Sequence, residues 1–262
     1  MRYAEITACH VSLFLVLPAL LFGLADGKTK FKTLDYLYRI SGEGTVVGVH
    51  NKLSKTPSSF TDAATQITGK TPGLWGGDFL FDSESIEHRW TMIHEAKRQW
   101  EAGAMISIMW HACNPTLHEP CSWSNHCNGD GPWSGDVGDD KWNALITDGT
   151  PLNARWKEMM DDIAQYLQWL DLNGVEVLFR PLHEMNQNCF WWGGRGGANG
   201  TRRLYQIFHD YLTVEKKLTN LIWVWNIQDF DTLEYDVDAY NPGDEVRDDP
   251  STAPVDAVTH DS

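Results

Sequence analysis

A chain of 262 residues, 42% of them hydrophobic, has enough apolar surface for one large core and reads as a single α/β domain behind a short leader. Its formal net charge of −15 repels phosphate backbones and polyanions, which argues against nucleic acid as a partner and for a neutral one. Thirteen tryptophans are many for this length; burial habit assigns any one of them to the core, yet clusters at strand ends also suit the C–H faces of pyranose sugars.

The leader reads as a secretory signal. Arg2 supplies a positive charge, residues 11–24 an apolar stretch with Pro18 inside it, and Leu24-Ala25-Asp26-Gly27 small residues for cleavage. Residues 1–27 are expected to be removed, residues 28–262 to form the mature domain, and the protein to be secreted. The apolar stretch falls short of the ~20 residues of a membrane span, and no later segment qualifies, so an uncleaved anchor is the weaker reading and no membrane partner is expected.

Residues 45–50, Thr-Val-Val-Gly-Val-His, read as a buried strand ending in a polar residue, and residues 72–79 as a second strand weakened by its glycines. Ile86, Trp90, Ile93, Ala96 and Trp100 recur at helical spacing over residues 85–102, stopped by Gly103. Residues 105–111 form a third strand, again ending in His, before a long Gly-, Asp- and Trp-rich loop over residues 113–148. Trp156, Met160, Ile163, Leu167 and Leu170 mark an amphipathic helix over residues 154–173, closed by Gly174.

Then comes the most informative segment. The apolar run Val175, Val177, Leu178 and Phe179 ends abruptly in Arg180-Pro181-Leu182-His183-Glu184-Met185-Asn186, followed by Phe190-Trp191-Trp192-Gly193-Gly194-Arg195. A further helix over residues 201–218 leads to the strand Leu221-Ile222-Trp223-Val224-Trp225-Asn226. Residues 236–249 read as a solvated acidic loop, and residues 254–258 as the start of a sixth strand.

Strands alternating with helices indicate a parallel sheet with right-handed crossovers. A doubly wound sheet and a (β/α)8 barrel both satisfy this pattern. Several strands end in His, Asp, Glu or Asn, which favours the barrel, whose site draws on many strand ends. No glycine-rich phosphate loop follows the first strand, so no nucleotide cofactor is expected.

With Cys9 leaving in the signal, Cys113, Cys121, Cys127 and Cys189 remain, enough for two disulfides in three possible pairings. One bridge could tie the loop after the third strand to the loop after the fourth. Their spacings do not match common zinc patterns, so no metal is expected. Asn199-Gly200-Thr201 is a glycosylation sequon compatible with secretion.

Hydrolysis of a glycosidic bond usually takes two carboxyl groups, one protonating the departing oxygen and the other attacking the sugar or activating water. The acid of such a pair needs apolar, aromatic-walled surroundings that disfavour its charged form. Glu184 has that neighbourhood; the bland reading of the same residue is a buried glutamate paired with Arg180.

The segment 180–195 closely resembles the acid/base motif of glycoside hydrolase family 26, most of whose members are endo-β-1,4-mannanases. Gly69-Lys70-Thr71-Pro72 with Gly77-Asp78-Phe79 resembles that family's second strand, and Trp110-His111-Ala112-Cys113-Asn114-Pro115 its Trp-His-x-x-Asn-Pro element. Residues 221–226 and Tyr240-Asn241-Pro242-Gly243-Asp244 are similar to the next two landmarks, in the correct order. The resemblance implies a (β/α)8 barrel and a retaining double displacement on a neutral polysaccharide (mannan, galactomannan or glucomannan) by a monomer without cofactor.

Carried onto this sequence, it makes Glu184 the acid/base and His183 the residue that holds acid/base and substrate through hydrogen bonds. It makes His111 a contact to the sugar, Trp191, Trp192 and Trp225 aromatic surface, and Asp261 a further substrate contact. Gln187 and Cys189 stand where many members carry Gly and Trp. The family's nucleophile is a glutamate ending strand 7, whereas residues 255–262 resemble strand 6. The resemblance therefore implies a barrel incomplete after about strand 6, lacking its nucleophile. Residues 1–262 alone are expected to fold poorly and to hydrolyse mannan negligibly. The alternatives are a non-catalytic carbohydrate-binding protein, with Trp191, Trp192 and Trp225 as a stacking surface, or a β-1,3-xylanase or mixed-linkage glucanase of the same family.

Overall fold

The computed structural model describes residues 29–117, 119–121 and 137–246. The proposed signal, Cys127, the sixth strand at residues 254–258 and Asp261 lie outside the described residues. Five strands, β1 (Gly48–His50), β2 (Leu74–Asp78), β3 (Met105–Trp110), β4 (Val177–Pro181) and β5 (Leu221–Trp223), form one sheet. All neighbours pair in parallel, in the order β1-β2-β3-β4-β5. Each strand joins the same edge as its predecessor, so the winding never reverses. That removes the doubly wound reading, which needs a switch in strand order.

Side chains alternate across the sheet with period two. Trp75, Ile106, Ile108, Trp110, Val177, Phe179, Leu221 and Trp223 point into the main core. The helices α4 (Arg89–Glu101), α6 (Pro151–Leu172) and α7 (Thr201–Asp210) contribute to that core. Trp110 lies flat on Trp156 of α6 at 5.3 Å between ring centres, and Phe208 of α7 meets both rings edge-on. Such offset and edge-to-face pairs add to the burial of large apolar area. On the opposite face Leu74, Leu178, Ile222 and Val224 pack against Phe31, Leu34 and Leu37.

Leu34 and Leu37 belong to α1 (Lys32–Ile40), which has no counterpart among the predicted elements. Its first turn is anchored from far along the chain: the backbone N–H groups of Lys32 and Thr33 donate to the Glu176 carboxylate at 3.0 and 2.7 Å. A carboxylate there satisfies donors that a helix leaves unpaired and faces the positive end of its dipole.

Other expectations shift in detail. The helix expected over residues 85–102 is two helices, α3 (Ser83–Glu87) and α4, with His88 between them. The helix expected over residues 154–173 starts earlier, because Thr150 caps it by accepting from the Asn153 N–H and Pro151 fits the first turn. The helix expected to Leu218 leaves α geometry after Asp210 for one π turn, residues 211–215. Residues 236–249 are not simply a solvated loop: α8 (Leu233–Tyr240) runs into them and buries Asp236. The long loop likewise ends in α5 (Asp139–Leu145), which buries Trp142 and Leu145.

Candidate active site

Because the strands are parallel and sequential, their C-terminal ends share one edge, and the polar residues that end them meet there. His50 ends β1, Asp78 ends β2, His111 follows β3, Arg180 lies near the end of β4 with His183 and Glu184 just past it, and Asn226 follows β5.

Asp78 is buried and fully provided with donors. Its Oδ1 accepts from the backbone N–H groups of Leu80 at 3.1 Å and His111 at 3.2 Å. Its Oδ2 faces His111 Nδ1 at 2.5 Å, with His50 Nε2 at 3.9 Å. Burial alone would raise this carboxyl, but the charge and hydrogen bonds of His111, helped by His50, hold it below the ordinary 3.8. On the far side of the His111 ring, Nε2 lies 3.1 Å from His183 Nε2. Burial first, then the positive charges of His111, Arg180 and His50, push His183 well below the ordinary 6.5. The ring of His183 is therefore neutral at neutral pH.

Glu184 is half-buried in a turn whose backbone is unusual twice over, with φ of 48° at Leu182 and 53° at Glu184. Asn226 braces that turn: its Oδ1 accepts from the Glu184 N–H at 2.8 Å and from Arg180 at 2.9 Å. Gln187 Nε2 donates to Glu184 Oε2. Asn186 stitches the same turn to the loop after β5 and to α8, donating to Gln228 O at 2.9 Å and Asp236 Oδ2 at 2.8 Å. Arg180, the partner named by the bland reading of Glu184, thus reaches the turn through Asn226.

The expected aromatic surface divides. Trp191 and Trp192 are 2% and 0% exposed, so both belong to the core and neither offers a ring face to a ligand. Their indole N–H groups donate to Ala112 O at 3.0 Å and His183 O at 2.9 Å, which ties the loop after β4 to the two strand ends beside it. Phe190 lies flat on Trp192 at 4.5 Å and presents its ring to His183 and His111 at 4.8 and 5.5 Å. Trp225 stays half-buried, its N–H directed at Met185 Sδ at 3.2 Å. Gly193 is required where it stands: a Cβ would lie 2.1 Å from Gln187 O.

Cys113 and Cys121 form a disulfide within the loop after β3, and Cys189 is disulfide-bonded too. In the sequon, Asn199 is exposed, but the Thr201 hydroxyl is buried and donates to Trp192 O. Among the described residues no group of three or more His, Cys, Asp or Glu is arranged to hold a metal ion.

The structure thus brings Glu184, His183 and His111 together, keeps Trp225 at their edge, and withdraws Trp191 and Trp192. It adds His50, Asp78, Gln187 and Asn226. Three of these stand at a strand end in the sequence, a signal that could have nominated them; Gln187 has no such mark.

The model of Glycosyl hydrolase family 26 matches residues 25–249. A mannan endo-1,4-beta-mannosidase A and B of Caldalkalibacillus mannanilyticus is 33% identical over 193 residues, 69% of this chain and 35% of that protein. A mannan endo-1,4-beta-mannosidase of Thermothelomyces thermophilus is 32% identical, over 73% of this chain and 39% of its own length. The chain spans about a third to a half of the length of these and two further mannosidases of Bacillus subtilis. Among solved structures, GH26A from Muricauda sp. superposes with a TM-score of 0.74 at 32% identity, over 86% of this chain and 72% of that one. A beta-mannanase from a symbiotic protist of the termite Reticulitermes speratus, complexed with gluco-manno-oligosaccharide, superposes at 0.69 with 26% identity, over 83% of this chain and 66% of that one.

Proposed function

Since the chain belongs to glycosyl hydrolase family 26, we propose that it is the catalytic sequence of a secreted endo-β-1,4-mannanase in which Glu184 is the acid/base of a retaining double displacement. The observation that carries this reading is the Glu184 turn: a half-buried carboxylate at the C-terminal edge of a parallel sheet, fixed by Asn226 and flanked by a neutral His183. A carboxyl so placed can protonate a departing sugar oxygen and later take a proton from water.

Asp78, tied to His111 and to two backbone N–H groups, serves as a fixed anion rather than as the second carboxylate. The nucleophile then comes from outside the described residues, on strands that complete a (β/α)8 barrel. His111, His183, Trp225 and Asp261 are the proposed substrate contacts, and Phe190 takes the place of the buried Trp191 and Trp192 as the aromatic ring nearest the two histidines. The substrate class is a neutral β-1,4-mannan, glucomannan or galactomannan. The relatives' names and the neighbour's gluco-manno-oligosaccharide support it, as does the acidic surface, and the enzyme acts as a monomer.

The test is release of reducing ends from a panel of neutral polysaccharides by the full-length protein and by Glu184→Gln. Hydrolysis of mannan that Glu184→Gln abolishes, with mannan still bound, supports the reading. Binding without hydrolysis in the parent would overturn it in favour of a carbohydrate-binding role, and hydrolysis confined to β-1,3-xylan or mixed-linkage glucan would reassign the substrate.

A further inference from the structure

The half-buried His111 and the buried His183 stand in line between a buried carboxylate and the turn that carries Glu184, and for neutral rings the chemistry of the first group sets the state of the other two. Asp78 is an anion with no proton to give, so it can only accept. Facing Oδ2 at 2.5 Å, His111 must therefore carry a proton on Nδ1. Where that is the ring's one proton, Nε2 of His111 is bare. Its neighbour at 3.1 Å, His183 Nε2, has to supply the proton of that hydrogen bond. Once His183 is protonated at Nε2 and neutral overall, its Nδ1 is bare. That atom is the one for which the structure shows no hydrogen-bond partner, and it is fully buried. With both rings neutral, the network is thus consistent from end to end with one arrangement of protons.

We propose that Asp78 is a positioning residue which, through His111, fixes the tautomer of His183 and so decides which ring nitrogen that histidine offers beside Glu184. The catalytic consequence rests on the hydrolase reading above; the coupling of the two tautomers does not.

Asp78→Asn is an informative perturbation because its direction is set in advance. Asp78 Oδ1 is held by two backbone N–H groups, from Leu80 and His111, so an asparagine keeps its carbonyl oxygen there. The amide NH2 then falls at the Oδ2 position and faces His111 Nδ1 as a donor. His111 must give up its Nδ1 proton and carry one on Nε2. His183 must in turn accept at Nε2 and move its proton to Nδ1. One isosteric change on β2 inverts two rings, the second of them linked to Asp78 through His111.

The measurement is long-range proton–nitrogen NMR correlation on the full chain labelled with 15N-histidine, with signals assigned by their loss in His111→Gln and His183→Gln. The parent is expected to show His111 protonated at Nδ1 and His183 at Nε2, and Asp78→Asn to show both reversed. A parent with His111 protonated at Nε2 overturns the proposal, even where the variant does not fold. So does a folded variant in which either ring keeps its parental tautomer, since a merely structural Asp78 would lower stability and leave the tautomers alone. On mannan, the folded variant is expected to lose about 100-fold in kcat with KM little changed. A parent with the stated tautomers but no mannan turnover supports the coupling and overturns the hydrolase reading alone.

Discussion

On the helix-covered face of the sheet, Trp75, Trp110, Phe179 and Trp223 pack into an apolar layer in which Trp110 lies flat on Trp156. One residue further along β3 and β4, His111 and Arg180 enter a chain of directed hydrogen bonds with Asp78, His183 and Asn226. The first face is held by filled volume, and any group of the right shape serves it. The second is held by the identity of each donor and acceptor, and a change of one atom can reverse it. Stability and chemistry are therefore separable by parity along a single strand.

The largest expected break is on the apolar face. Trp156→Ala leaves a cavity beneath Trp110 and is expected to cost about 3–5 kcal/mol in urea unfolding. A loss below about 1 kcal/mol would mean that the layer is not packed as described.

Glu184→Gln in the full-length protein should do the converse. Mannan turnover is expected to fall on the order of 100- to 1000-fold, equivalent to ~3–4 kcal/mol of barrier. The urea midpoint should hardly move, because the carboxylate is half-buried and its polar partner is Gln187. A large fall in stability would blur the division between the faces.

Acid sharpens the comparison, since the tryptophans and phenylalanine of the apolar layer carry no group that titrates. The His183 pKa is lowered in the folded state, so between the ordinary 6.5 and that lower value the unfolded chain binds a proton that the folded chain refuses. Its stability contribution is complete above pH 6.5 and is lost as the pH falls, at up to about 1.4 kcal/mol per pH unit. His50, lowered by burial against the opposing pull of Asp78, adds a contribution of the same sign. The depressed Asp78 carboxyl adds a further loss below its ordinary 3.8. Urea midpoints measured from pH 7.5 to 4.5 should decline, and His183→Gln should flatten the slope. An unchanged slope would refute the assignment to His183.

The smallest effect lies away from both faces. Thr150→Ala removes the cap of α6, and unfolding should register about 1 kcal/mol with mannan turnover unaffected.

Much of the fold was legible because the signal was periodic. β2 to β5 were found to within a few residues, since each is an apolar run closed by a turn residue or a polar one. α1 escaped because it is only nine residues long and its anchor, Glu176, is more than 140 residues away. Strand order is likewise non-local, and two windings fitted the same alternation. At the site, Glu184, His183 and His111 stood out as polar residues after apolar strands. The same habit misled for Trp191 and Trp192. A tryptophan past a strand end suits either a ligand or a neighbouring carbonyl, and Ala112 O and His183 O are not adjacent to them in sequence.

The turn that carries Glu184 also sets two aims against each other. Two residues with side chains, Leu182 and Glu184, hold left-handed backbone angles that glycine would adopt at lower cost. Asn226 keeps the turn in that shape from the neighbouring strand end. A lineage selected for heat resistance alone would drift toward glycine at position 184, and with it toward a sturdier protein that has lost its carboxyl group.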